Sequence, residues 1–151
     1  MVMRNQFRSV VPLKPYNLYL TTYALQLTSQ KMITIIKYNA GNIKSVENAI
    51  KRLGYECVVT DDEKTILSAS KVIFPGVGEA SSAMQYLMEH KLDVLIKSLK
   101  QPTLGICLGQ QLMCSYSEEG DTTCLGIFDA RVKKFPSTEL VPHMGWNNLK
   151  N

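Results

Sequence analysis

The sequence predicts an α/β fold, a mostly parallel open sheet with helices on both faces. Short β-branched apolar segments alternate with segments whose apolar residues recur at helical spacing. Glycine-containing turns follow three of these strands, as expected where a ligand site lies at the carboxyl ends of parallel strands. With 151 residues and 45% hydrophobic content, the chain can bury one core. No segment approaches the roughly 18 continuous apolar residues of a membrane span, so no membrane partner is expected.

Residues 1–31 are predicted to be an N-terminal extension outside the fold. They carry four basic and no acidic residues, lack a clear strand or helix period, and end just before Met32. An upstream extension or a misassigned start explains them better than a targeting sequence does. Residues 32–151 hold 13 basic and 13 acidic residues, so the net charge of +4 belongs to the extension. We expect one domain, 32–151, without nucleic acid as a partner.

The elements of this domain follow in alternating order. The segment 33–38 is rich in β-branched residues and is predicted to be a strand. The segment 43–53 places apolar residues at helical spacing and is predicted to be a helix that ends at Gly54. Further strands are predicted at 55–60, 71–74 and 103–106, and further helices at 79–90, 92–99 and from 108 onward. Carboxyl ends of parallel strands meet at one edge, so the loops at 39–42, 75–78 and 107 should converge on a site.

Cys107 is the strongest candidate for chemistry. It lies between Gly105 and Gly109, where a strand turns sharply into a helix. Glycines on both sides allow tight folding around a strained central residue, the geometry of a nucleophile elbow. A helix N-terminus also favours an anionic thiolate. From this segment alone, a buried cysteine between two packing glycines is an equally good interpretation.

Two neighbouring features fit acyl chemistry. The turn Gly76-Val77-Gly78 can present backbone N–H groups that, with the N–H of Leu108, would stabilise an oxyanion. Viewed alone, the turn could also be a simple strand-to-helix connection. Gln111 lies one helical turn after Cys107 and could bind an amide or amino group, or simply be solvated.

The number and spacing of cysteines and histidines argue against a zinc site and against a disulfide-bonded scaffold. The four cysteines contain no C-x-x-C pair, and only two histidines are present, so zinc-ligand spacing is absent. No metal site is therefore predicted. Reduced thiols in a cytosolic protein fit this alternating pattern better than a secreted disulfide scaffold does.

Residues 105–111, Gly-Ile-Cys-Leu-Gly-Gln-Gln, resemble the G-[IV]-C-L-G-x-Q signature of class I glutamine amidotransferases. These enzymes hydrolyse glutamine through a cysteinyl thioester and release ammonia. Within that class, segments 38–42, 74–78 and 142–147 resemble the glutaminase subunit of imidazole glycerol phosphate synthase. The resemblance covers residues 32–151. It implies a flavodoxin-like fold, no cofactor, glutamine as substrate, and a cytoplasmic heterodimer with the cyclase subunit in histidine biosynthesis.

The resemblance also assigns roles to residues. Cys107 would be the nucleophile, and backbone groups of Val77, Gly78 and Leu108 would form the oxyanion hole. Gln111 and Glu119 would hold the substrate glutamine. The residues toward the cyclase interface would be Asn42, Met144, Gly145 and Trp146.

One part of the family pattern is missing. The resemblance implies a His-Pro-Glu segment well beyond residue 147 that supplies the general base and its carboxylate, whereas the sequence ends at Asn151. His143 belongs to a segment whose histidine is not catalytic in the family. We therefore expect a C-terminally truncated glutaminase that is inactive as the 151-residue chain.

Three alternatives stay open at this point. The chain could be a catalytically defective fragment that at most contacts the cyclase, or it could belong to another class I amidotransferase. A cysteine peptidase or chaperone-like hydrolase is the third alternative. Such proteins commonly carry histidine where this chain has Leu108, and they lack the segment 142–147.

Overall fold

The computed structural model describes residues 32–39, 41–139, 141–142, 145–146 and 148. The predicted extension, 1–31, lies outside these residues, so the domain boundary stays a prediction. The strands are β1 (Ile33–Ile36), β2 (Cys57–Thr60), β3 (Lys71–Phe74), β4 (Thr103–Gly105), β5 (Tyr116–Ser117), β6 (Thr122–Thr123) and β7 (Arg131–Val132). The helices are α1 (Ile43–Arg52), α2 (Glu63–Ser68), α3 (Ala80–Glu89), α4 (Leu92–Ser98) and α5 (Leu108–Met113), with a 3-10 turn at Glu119–Asp121.

The main sheet has four parallel strands in the order β2-β1-β3-β4. Its central strand β1 is buried on both faces, because Thr34, Ile35 and Ile36 alternate in direction and are each 0% exposed. Helices connect its successive strands, as parallel pairing requires. This arrangement confirms the predicted fold class, a mostly parallel sheet with helices.

The helices pack a single core against this sheet. Buried side chains from β3, α2, α3 and α5 form its centre, including Phe74, Ile66, Leu87 and Leu112. Helix α2 was not predicted, because its six residues are too short to show a period. Its start is fixed by Asp62, whose carboxylate accepts a hydrogen bond from the Thr65 N–H at 2.8 Å. Within the described part of the chain, every helix falls short of the length and apolarity that crossing a bilayer requires.

A second, smaller sheet follows α5, with the strand order β6-β5-β7. Strand β5 pairs antiparallel with β6 and parallel with β7. The guanidinium of Arg131 lies 3.9 Å from the centre of the Tyr116 ring, which joins β7 to β5. The sequence did not predict this sheet, because two-residue strands carry no alternation and their pairing is decided by tertiary contacts.

Candidate active site

Three strand ends meet at one edge of the main sheet, as the sequence predicted. The N–H of Ile106, after β4, donates to the carbonyl of Phe74 at the end of β3 at 3.0 Å. The hydroxyl of Tyr38, after β1, donates to the carbonyl of Pro75 at 2.7 Å. The loops after β1, β3 and β4 are thereby joined by hydrogen bonds between neighbouring strands.

Cys107 occupies the junction between β4 and α5. Its backbone has φ 52° and ψ −117°, a conformation that residues with a Cβ rarely adopt. Its side chain is exposed, and it makes no capping hydrogen bond to the helix that begins at Leu108. Such strain at an exposed cysteine is the geometry expected of a nucleophile elbow.

The glycines around Cys107 are required by close packing of backbone segments. A Cβ on Gly109 would overlap the carbonyl oxygen of Phe74, and one on Gly105 would lie 2.7 Å from the Cα of Gln110. A Cβ on Gly76 would overlap the hydroxyl of Tyr38. The elbow helix can therefore lie directly against the end of β3.

The predicted oxyanion residues lie together, but their N–H groups do not point at one position. The N–H of Leu108 donates to the carbonyl of Gly76 at 3.3 Å. Because the C=O and N–H of a trans peptide point in opposite directions, the N–H of Val77 faces away from Leu108. Val77 and Gly78 are exposed, and Gly78 has φ 113°, which glycine adopts readily.

Gln111 and Glu119, the predicted substrate residues, line the same cleft. Its volume is about 590 Å³, within the range of small-molecule sites. The lining residues are Gln111, Ser117, Glu118, Glu119, Val132, Lys133, Lys134, Phe135 and Val141. Gln111 lies four residues, about 6 Å along the helix axis, beyond Cys107.

Two glutamates of the cleft also hold backbone groups. Glu119 accepts a hydrogen bond from the N–H of Ala80 at 3.2 Å, at the start of α3. Glu118 accepts from the N–H of Lys134 at 2.8 Å. The first contact places the Glu119 carboxylate two residues from Gly78, so the cleft and the glycine turn are adjacent.

The predicted interface residues are only partly described. The side chain of Asn42 accepts from the N–H of Ser45 at 3.3 Å and thereby caps α1. Gly145 and Trp146 are exposed, and the Trp146 side chain is fully accessible. Met144 lies outside the described residues.

Among the described residues, His90 is the one histidine, and its position excludes it as a base for Cys107. It follows α3, a ten-residue helix that begins beside the glycine turn and spans about 15 Å. Its ring stacks on Tyr86 with centroids 3.9 Å apart, and Nδ1 lies 2.9 Å from the Tyr86 carbonyl oxygen. His143 lies outside the described residues. No group of three or more potential metal ligands occurs in the part of the chain that the structure describes.

Two of the other thiols, those of Cys57 and Cys124, differ from Cys107 in being partly or fully buried. Burial raises the pKa of the Cys124 thiol and, with nearby Glu47, that of Cys57. Both thiols are therefore poorer nucleophiles at neutral pH. Burial also raises the pKa of Tyr38 far above its usual range, and the neighbouring Cys107 raises it further, so its hydroxyl remains a protonated donor.

Comparison with known proteins shows the family. The model of the family described as glutamine amidotransferase class-I matches residues 34–149. The chain belongs to this family.

Curated relatives narrow the similarity within the class I amidotransferases. The chain is 59% identical to the imidazole glycerol phosphate synthase subunit HisH of Bacteroides fragilis over 120 residues, 78% of this chain and 61% of that protein. The proteins of the same name from Bacteroides thetaiotaomicron and Idiomarina loihiensis are 57% and 45% identical, with the same coverage. The chain thus spans about 61% of the length of these relatives.

A solved structure supports the fold. A crystal structure of a glutamine amidotransferase superposes with a TM-score of 0.58 at 20% sequence identity. The match covers 72% of this chain and 59% of that one. At this identity the likeness concerns the fold alone.

Sequence reasoning missed one buried polar group at this edge. Tyr38 begins the segment 38–42 that carries part of the family resemblance, yet no role was predicted for it. A tyrosine directly after a buried strand must find a partner for its hydroxyl if it is itself buried, which is the signal that could have found it.

Proposed function

We propose that this amidotransferase chain is the glutaminase part of an imidazole glycerol phosphate synthase and acts through Cys107. The observation that carries the proposal is the strained, exposed Cys107 at the edge where three parallel strands end. The family and the names of the relatives support the substrate class. The product would be ammonia for a cyclase subunit in histidine biosynthesis.

The chemistry proceeds in two steps. The Cys107 thiolate attacks the side-chain carbonyl carbon of glutamine, and collapse of the tetrahedral intermediate expels ammonia and leaves a thioester. Water then hydrolyses the thioester to glutamate and restores the thiol. Both steps pass through an oxyanion that backbone N–H groups must stabilise.

The glycine turn has to change before it can stabilise that oxyanion. In this structure the Leu108 N–H is engaged by the Gly76 carbonyl. Rotation of the Gly76–Val77 peptide would release this donor and turn the Val77 N–H into the site. Gly76 and Gly78 on either side make such a rotation accessible. We therefore assign Val77, Gly78 and Leu108 to an oxyanion hole that this conformation does not yet present.

The cleft suits a free amino acid. Glu119, Lys133 and Lys134 supply both signs of charge, which matches the ammonium and carboxylate of zwitterionic glutamine. We assign Gln111 and Glu119 to substrate binding, since both line the cleft next to the elbow.

The partner would be the cyclase subunit, in a cytoplasmic heterodimer whose combined reaction includes a lyase step. The fully exposed Trp146 supports a docking surface at 142–147, because such residues are enriched in interfaces. Asn42, Met144 and Gly145 are assigned to the same surface by the family resemblance. Ammonia would pass from Cys107 to the cyclase within that complex.

Turnover requires a base that His90 cannot supply. A general base takes up a proton, delivers it to the departing nitrogen and later activates the water. Without such a base, the rate of turnover falls by several orders of magnitude. We propose that the 151-residue chain forms a covalent adduct at Cys107 and does not turn over glutamine. The test therefore uses adduct formation.

The test is alkylation by the diazoketone analogue of L-glutamine, followed by peptide mass mapping. Cys107 should be the labelled cysteine, because it is exposed at the elbow whereas burial suppresses Cys57 and Cys124. Free glutamine should protect it. Preferential labelling of Cys57, Cys114 or Cys124 would contradict the assignment.

Two glutamate variants check the substrate residues. Glu119→Ala should weaken protection by glutamine about tenfold or more, as expected when a charged contact is lost. Glu118→Ala is the matched control, since it removes the same carboxylate from the same cleft at a residue to which no substrate contact is assigned. Equal effects of the two variants would remove Glu119 from the substrate site.

A further inference from the structure

Tyr38 is a buried titratable residue that the proposed reaction does not use. Its side chain is 5% exposed and lies at the carboxyl end of β1. Its ring packs on Phe74 with centroids 5.3 Å apart, and its hydroxyl donates to the carbonyl of Pro75 at 2.7 Å. The hydroxyl is thus directed at the first peptide of the glycine turn.

This hydrogen bond fixes one peptide orientation. The Pro75–Gly76 peptide has its carbonyl held by Tyr38, so its N–H direction is fixed as well. Among the residues that the structure describes, the carbonyl of Gly76 accepts from the Leu108 N–H alone, at 3.3 Å. The turn therefore has a firmly held beginning and a weakly held second peptide.

The packing shows that the hydroxyl also sets the position of the turn. Tyr38 occupies the space that a Cβ on Gly76 would take, so the Gly76 Cα lies directly against the hydroxyl. Gly41, from the same loop as Tyr38, has space for a Cβ 3.6 Å from the Gly76 Cα. The loop after β1 therefore packs directly against the glycine turn.

We propose that Tyr38 is a positioning residue of the oxyanion site, whose hydroxyl anchors the Pro75 carbonyl so that rotation is confined to the Gly76–Val77 peptide. This inference rests on the proposed function. Without the anchor, the Pro75–Gly76 peptide can rotate too, and the Val77 N–H loses its defined direction. Tyr38 does not touch the substrate, so its loss affects the oxyanion and leaves glutamine binding unchanged.

The test compares two alkylating reagents on the 151-residue chain. The Sγ of Cys107 adds to the carbonyl carbon of the chloromethyl ketone analogue of L-glutamine, and an oxyanion forms. Sγ then bonds to the methylene carbon as chloride leaves, and the bond from Sγ to the carbonyl carbon breaks as the C=O re-forms. With iodoacetamide, Sγ attacks the methylene carbon directly and displaces iodide, and no oxyanion forms. Only the first reagent therefore reports the state of the oxyanion site.

Tyr38→Phe keeps the ring on Phe74 and removes the hydroxyl. We expect the maximal inactivation rate by the chloromethyl ketone to fall about tenfold, the size of one lost hydrogen bond, with its half-saturation concentration unchanged. The iodoacetamide rate should stay within about twofold of the parent. The control is Ile96→Val, a small truncation at a buried residue of α4, which should lower the melting temperature and change neither rate.

Each other outcome has a defined meaning. An unchanged chloromethyl ketone rate in Tyr38→Phe would overturn the inference while the proposed function stands. Slowing of both reagents alike, a matching effect of Ile96→Val, or failure of Tyr38→Phe to fold would show a merely structural role and overturn it as well. If the parent showed no saturable preference for the glutamine reagent at Cys107, the proposed function would fail, and this inference with it.

Discussion

Cys107 carries the clearest backbone strain of the candidate site. Its φ of 52° and ψ of −117° suit a residue without a Cβ, yet a side chain is present and exposed. Such conformations cost of order 1–3 kcal/mol and persist when the surroundings over-determine them. Here Gly105 and Gly109, on either side of Cys107, are packed so closely against Gln110 and Phe74 that neither has room for a Cβ.

Relief of this strain is measurable. Cys107→Gly should be more stable than Cys107→Ala by about 1 kcal/mol in urea unfolding, because alanine retains the strained Cβ and glycine does not. Gln85, exposed in the middle of α3, is the control position. There, the free energy of unfolding of Gln85→Ala should exceed that of Gln85→Gly by about 1 kcal/mol, the usual order in a helix. The same order at Cys107 would mean that the elbow is not strained.

At the scale of elements, the start of α3 joins the glycine turn to the cleft. Glu79 caps the helix, and its carboxylate accepts from the N–H groups of Ser81 and Ser82 at 3.0 and 2.9 Å. The hydroxyl of Ser81, followed by these N–H groups, lowers the pKa of Glu79 to about 2. The N–H of Ala80, the first residue of the helix, donates to the carboxylate of Glu119. The turn is thereby tied to a helix whose N-terminal donors are satisfied.

The cap predicts a pH dependence of stability. Because its folded pKa of about 2 lies below the usual 4.5, ionised Glu79 stabilises the fold above pH 4.5, and this contribution is lost between pH 4.5 and 2. Glu79→Gln retains an acceptor but no charge. The melting temperature of the parent should exceed that of Glu79→Gln at pH 6, and the difference should shrink toward zero at pH 2. A difference independent of pH would refute a role for the charge.

At the scale of the whole molecule, Met32 is already tied to the main sheet. Its carbonyl accepts hydrogen bonds from the N–H and the hydroxyl of Ser70 at 3.1 and 3.0 Å. The next residue starts β1, which pairs with both β2 and β3. Residues 1–31 supply the excess positive charge and no clear periodic element.

Deletion of residues 1–31 should therefore leave the melting temperature of the remainder within about 2 °C of the full chain, because no predicted core residue is lost. Thermal melts followed by circular dichroism measure this directly. Deletion through Ile36 is the control and should prevent folding, since it removes the central strand. A large loss of stability on deletion of 1–31 alone would place the extension within the fold.

Much of the main sheet could be predicted from the sequence. The strand 71–74 was predicted with its observed ends, and the others differ by one or two residues, because β-branched apolar runs followed by glycine mark buried parallel strands. Helix α2 and the sheet of β5, β6 and β7 could not be predicted. They are too short for a period, and their partners lie elsewhere in the chain.

Residue type and spacing were enough to predict that Cys107 ends a strand, begins a helix and has glycines where the backbone must pass closely. These properties are local, so spacing and residue type record them. The hydrogen bonds from Leu108 to Gly76, from Tyr38 to Pro75 and from Ala80 to Glu119 could be known only from the folded chain. A periodic pattern records which side chains are buried, whereas a hydrogen bond between distant residues depends on where separate strands end in space.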